Sequence, residues 1–147
     1  MCMMMSVPLW AALTLTVNTG APVNIGSTFI GLNNFTAAPV ELGCDQTLAI
    51  GWDLYVHALS DMKDPRTGYE IPLENVKWYG AYKENPTGSF VKGTGGDSIP
   101  LSMTPEAVYT DGATTGSKKV QVGFGVVVPD AQPQGNYQTT VQFIMTE

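Results

Sequence analysis

The chain has 147 residues, of which 14% are charged and 44% hydrophobic, with a net charge of −6. That length suits a single domain with an adequate core, and the acidic balance gives no electrostatic reason to bind nucleic acid or an anionic membrane. No apolar run reaches the roughly 20 residues that a membrane-spanning helix needs.

The low charged fraction is common among secreted β-proteins. Sixteen Gly and ten Pro, with many Val, Thr, Tyr, Phe and Trp, favour strands and turns over helices. Every odd position from Met1 to Val17 is apolar, the period-two mark of a strand with one buried face. A typical strand has about 5–6 residues. Seventeen residues at about 3.3 Å each span roughly 56 Å, more than a small domain can cover. The run therefore divides. Leu13–Val17 leads into the turn Asn18–Pro22 and opens the domain, residues 13–147. Residues 1–12 form a surplus N-terminal extension. The segment Met1–Leu15 has the apolar character of a signal peptide, but the first basic residue is Lys63, so the charged leader is missing. It reads either as a leader remnant or as the start of the mature chain.

Further strands follow at intervals set by turn residues. Val23–Ile30 is interrupted at Gly26, a candidate bulge, and Val40–Leu42 ends at Gly43. Thr47–Ala58 is the clearest interior strand: Leu48, Ile50, Trp52, Leu54, Val56 and Ala58 point one way, and Asp53, Tyr55 and His57 the other. Asp61–Gly68 is a polar loop. Glu70–Leu73 and Val76–Tyr82 are next, with Pro72 at an edge or bend. Asn85–Gly88 and Lys92–Asp97 are turns, and Ser98–Leu101 and Ala107–Tyr109 are weaker strands. In the last hairpin Val120, Val122, Phe124, Val126 and Val128 alternate inward, as do Tyr137, Thr139, Val141, Phe143 and Met145, with Pro129–Gly135 between them. The expected core is Trp52, Leu54, Val56, Phe124, Val126, Tyr137, Val141 and Phe143. About nine or ten strands, without a helical window, predict an all-β antiparallel sandwich, Ig-like or jelly-roll-like, with an extended N-terminal strand.

Catalytic chemistry is sparse. His57 falls on the outward strand face, and no Ser or Cys sits at a nucleophile motif, so a triad has no foundation. One histidine and two distant cysteines do not make a zinc site. The pairs Asp61/Asp64 and Glu70/Glu74 read as solvated loop charges rather than as two carboxylates facing a glycosidase cleft, and the Asp61–Asp64 loop lacks the spacing of an EF-hand. The Met-rich start, with Cys2 inside it, has ligands for a soft metal, but flexible apolar packing is the expected role. No cofactor is expected. Cys2 and Cys44 either pair, within or between subunits, or remain two thiols. Asn34-Phe35-Thr36 fits an N-glycosylation acceptor in a surface loop. Trp10, Trp78, Tyr79 and Tyr82 are candidates for a sugar-stacking platform, although Trp78 shares the core face of Val76.

Three segments resemble the Ig-like sandwiches of bacterial and archaeal surface proteins: Leu13–Val17 with Val23-Asn24-Ile25-Gly26, then Gly51-Trp52-Asp53-Leu54-Tyr55-Val56, then Val128-Pro129 with Gly135–Phe143. That group includes WxL cell-surface domains, TasA-type matrix filament subunits, and pilus or spore-coat subunits. Where a WxL domain repeats its tryptophan motif, this chain has Val141-Gln142-Phe143-Ile144-Met145. For the filament groups the resemblance implies subunits joined by a donated terminal strand.

The physics of an incomplete sandwich leads to the same expectation. An open edge leaves backbone groups and an apolar groove unpaired, and a strand from another subunit can fill both. Donor and acceptor surfaces differ, so the contact is heterologous and propagates as an open filament. Met3, Met5, Val7, Leu9 and Ala11 are the expected donor residues, and the acceptor lies beside an edge strand in the final hairpin or at Leu13–Val17. With Met1, burying these side chains supplies about 6–12 kcal/mol gross, less the cost of ordering. The expected protein is a non-enzymatic subunit, secreted or at the cell surface, that forms a head-to-tail homopolymer. The alternative is a monomeric cell-wall or glycan-binding module of WxL-like type.

Overall fold

Apolar residues alternate from Val120 to Val126 within one long strand, Gly116–Val127, and the rest of the fold assembles around it. The computed structural model describes residues 13–18, 31, 33–35, 39–83, 88–94, 97–112 and 115–147. The extension at 1–12 and the strand expected at Val23–Ile30 lie outside these residues. Twelve strands run in chain order among the described residues: β1 (Leu13–Val17), β2 (Asn33–Phe35), β3 (Val40–Gln46), β4 (Trp52–Ala58), β5 (Met62–Lys63), β6 (Glu70–Ile71), β7 (Val76–Lys83), β8 (Ser89–Phe90), β9 (Ile99–Pro100), β10 (Glu106–Asp111), β11 (Gly116–Val127) and β12 (Val141–Thr146). A single 3-10 turn spans Leu73–Asn75. No helix among the described residues is long and apolar enough to cross a membrane.

The strands form an all-β sandwich of antiparallel sheets. The first sheet has the order β1-β3-β11-β7-β9, and β2 pairs with the far end of β11 at Gly125–Val127. The second has the order β12-β4-β10-β8, and β5 and β6 make a small ribbon. Between the main sheets lie Leu42, Trp52, Leu54, Val56, Trp78, Val108, Tyr109, Val120 and Val122, each at most 2% exposed. A register shift falls between Ala107 and Tyr109 in β10, where the consecutive residues Val108 and Tyr109 are both buried. Tyr109 packs its ring against those of Trp52 and Phe90, with centroids 5.5 Å away in each case.

Several expectations need correction. The last two strands are not a hairpin. β11 lies in the first sheet and β12 pairs with β4 in the second. Residues 128–140 are too many for a tight reversal, and period-two alternation names the buried face but not the partner. β12 begins only at Val141, so Tyr137 and Thr139 precede it. Gly43 does not end a strand: β3 runs on to Gln46, and the Asn18 side chain lies over Gly43. Thr47–Gly51 is not part of β4, and Leu48 and Ile50 are half-buried. Asn34 and Phe35, expected in a surface loop, pair with β11 through β2. The polar loop Asp61–Gly68 contains β5 and a fully buried Asp64.

The fold makes a direct prediction about burial. Leu54→Ala removes a side chain with no exposure and should cost about 2–5 kcal/mol. Met103→Ala, at a position 54% exposed, should stay within about 0.5 kcal/mol of the parent. Urea unfolding followed by tryptophan fluorescence measures both, and equal losses would contradict this placement of the core.

Candidate functional site

A sandwich exposes its backbone where its sheets end, so each edge strand is a potential docking surface. Most of the edges here are short. β8 and β9 have two residues each, and β9 contains Pro100, which has no N–H to offer a neighbour. β1 and β12 are different. They have five and six residues, LTLTV and VQFIMT, without charge, proline or glycine. Both are terminal in their sheets among the described residues. They also lie on the same flank, with Cα atoms approaching within 8 Å although the strands do not pair.

The inward side chains of this flank are incompletely covered. Leu13 and Leu15 of β1, and Val141, Phe143 and Met145 of β12, are half-buried and pack against the core. Phe143 meets Phe124 edge-on, with centroids 6.2 Å apart, which ties the rim of the second sheet to the centre of the first. The core set named from the sequence is thus divided. Trp52, Leu54, Val56, Phe124 and Val126 are buried, whereas Tyr137, Val141 and Phe143 lie at the partly covered side.

A polar corner fixes the start of β12. Asp64 has no exposed surface. Its carboxylate accepts the backbone N–H groups of Arg66 at 2.8 Å and Asn136 at 2.9 Å, and the Arg66 guanidinium at 3.4 Å. These donors hold the Asp64 carboxyl down to about 2, the Arg66 and Asn136 amides contributing most. Gly135 is needed there because a Cβ would sit 2.5 Å from Asp64 Oδ2. The Tyr137 hydroxyl donates to the Pro133 carbonyl at 2.7 Å, and Lys63 and Gln138 exchange backbone hydrogen bonds at 2.9 and 3.1 Å. Reading the sequence as a solvated loop missed Asp64. The available signal was Pro133-x-Gly135-x-Tyr137, turn-forming residues and a tyrosine shortly before a strand.

Other candidate residues do not converge. His57 is half-buried, with Nδ1 3.3 Å from the Met103 carbonyl oxygen. A groove of about 510 Å³ is lined by Leu73, Ile99, Leu101 and Met103, with Asp61, Glu74 and Glu106 at its rim. Asp61 accepts the Leu73 amide at 2.9 Å, and Glu106 pairs with Lys92 at 2.8 Å. Among the described residues no three His, Cys, Asp or Glu side chains come together to hold a metal ion. Cys44 is a free thiol without exposed surface, and burial pushes it up to about 12. Cys2 and the donor residues Met3, Met5, Val7, Leu9 and Ala11 lie outside the described residues, as does Trp10. Trp78 is fully buried, Tyr79 is half-buried with its ring over Gly123, and Tyr82 is 53% exposed.

The chain matches no family model, no curated protein and no solved structure.

The corner has a pH signature. A carboxyl that is more acidic folded than unfolded stabilises the fold fully above its unfolded value of about 3.9, and that stabilisation fades as pH falls toward about 2. Asp64→Asn should lower the melting temperature at pH 7 and flatten its decline between about pH 4 and pH 2. Parallel thermal melts of parent and variant measure this, and identical slopes would remove Asp64 from the corner's stability.

Proposed function

We propose that the chain is a non-enzymatic structural subunit that assembles head to tail into a filament at the cell surface or outside the cell. Each copy donates its residues 1–12 to the β1/β12 flank of the next. One observation carries the reading: two uncharged edge strands share a flank whose inward side chains are only half-buried. Charges, prolines and very short edges are the usual protections against strand addition. Among the described residues the other edges have them, and this flank does not.

The proposed donor has matching chemistry. Residues 1–12 carry no charged side chain, and their odd positions are apolar. An added strand therefore brings backbone donors and acceptors to an edge, and a row of Met, Val and Leu side chains to a partly covered groove. The Met-rich row adapts to an irregular rim more easily than branched side chains do. Because donor and acceptor differ, each subunit keeps one free end of each kind and growth continues.

Deleting residues 1–12 should abolish polymers and leave a folded monomer. Negative-stain microscopy and light scattering of the purified parent and the deletion measure the difference. Polymers of normal length after the deletion would sink the proposal.

A further inference from the structure

We infer that β12, and not β1, receives the donated strand, which extends the sheet of β4 and β12 and places Met3, Met5 and Val7 of a second copy over Val141, Phe143 and Met145. This rests on the strand-donation reading above and selects the acceptor within it.

The width of the flank requires a choice between the two edges. A strand hydrogen-bonded to both would need them roughly 9.6 Å apart, twice the interstrand spacing of about 4.8 Å. Cα atoms of β1 and β12 come within 8 Å of each other. Where the two strands approach that closely, a donated strand can pair with only one of the edges.

Two observations favour β12. Its inward row is longer and bulkier: Val141, Phe143 and Met145 are all half-buried, whereas in β1 only Leu13 and Leu15 are, and Val17 is 54% exposed. Its start is held by the Asp64–Asn136 and Tyr137–Pro133 hydrogen bonds, so the edge is ordered before anything binds and less freedom is lost on docking.

The donor sequence sets the register. Pro8 has no N–H and ends a ladder, so pairing is confined to Cys2–Val7, six residues against the six of β12. Leu9–Ala12 then spans back to the donor's own β1. The odd residues Met3, Met5 and Val7 meet the inward row, and the even residues, Met4 among them, stand on the outer face with Gln142 and Ile144.

Cross-linking of the full-length chain tests this. In a Cys2→Ser background, Met4→Cys is combined with Ile144→Cys in β12 or with Thr14→Cys in β1, and each is treated with a short bis-maleimide. The expected result is a ladder of covalent multimers from the Met4/Ile144 pair and loss of that ladder in the Met4/Thr14 pair. A ladder from Met4/Thr14 alone, or polymers that cross-link in neither, overturns the assignment to β12 and leaves strand donation standing. A cyclised monomer from Met4/Ile144 means that the segment covers β12 of its own chain and overturns both. Amide exchange of the unmodified chain guards against a misfolded variant: Val141–Thr146 should exchange more slowly in polymer than in monomer, and equal rates overturn the assignment. A parent chain that stays monomeric in light scattering removes the subunit reading itself.

Discussion

β11 is the constraint on which the rest of the sandwich depends. Twelve residues long, it pairs with β7 along one side and with β3 and then β2 along the other. Its inward row of Val120, Val122, Phe124 and Val126 is the floor against which the second sheet packs. Burial of apolar area is roughly additive and non-directional, so a floor of this kind does not by itself choose partners. Backbone pairing does, and β11 pairs with three strands at once. Weakening it would release β2, β3 and β7 together.

The second sheet obtains its geometry differently. β12 is not joined to β11 by a tight turn, so its placement relies on pairing with β4 and on the polar corner at its start. A buried carboxylate is costly unless its hydrogen bonds are made, and Asp64 makes them with two backbone amides and a guanidinium. A polar cluster thus orients an apolar edge. The centre of the sandwich holds the fold together by packing, and the corner determines which surface is presented.

The sequence made the fold class legible because alternation reports burial residue by residue. Trp52 to Ala58 are buried at alternate positions as their pattern predicted, and Val120, Val122, Phe124 and Val126 are all buried, with Gly123 and Gly125 between them buried as well. It did not reveal pairing. Val120–Val128 and Tyr137–Met145 have the same period and the same sense, and nothing in a period says whether two strands face one another across a sheet or across a core. Gly43 misled for a related reason. Glycine commonly stops strands, yet the Asn18 side chain fills the space over it, a contact between residues far apart in sequence. Asp64 misled because its neighbours Lys63, Pro65 and Arg66 are polar or turn-forming, while its partner Asn136 lies in another loop. The chemistry of the edges, by contrast, was visible in the letters: LTLTV and VQFIMT contain no charge.

The pairing of β4 with β12 joins the first half of the chain to its last strand, and this has a consequence for folding order. Contacts between distant segments form slowly because a long loop must close first. The second sheet stays incomplete until β12 arrives, and until then β4, which carries Trp52, Leu54 and Val56, is itself an edge. The β12 edge and the closed core therefore form in the same late event. On the strand-donation proposal, the β12 edge becomes available only once the chain's own sandwich has closed, so folding precedes assembly.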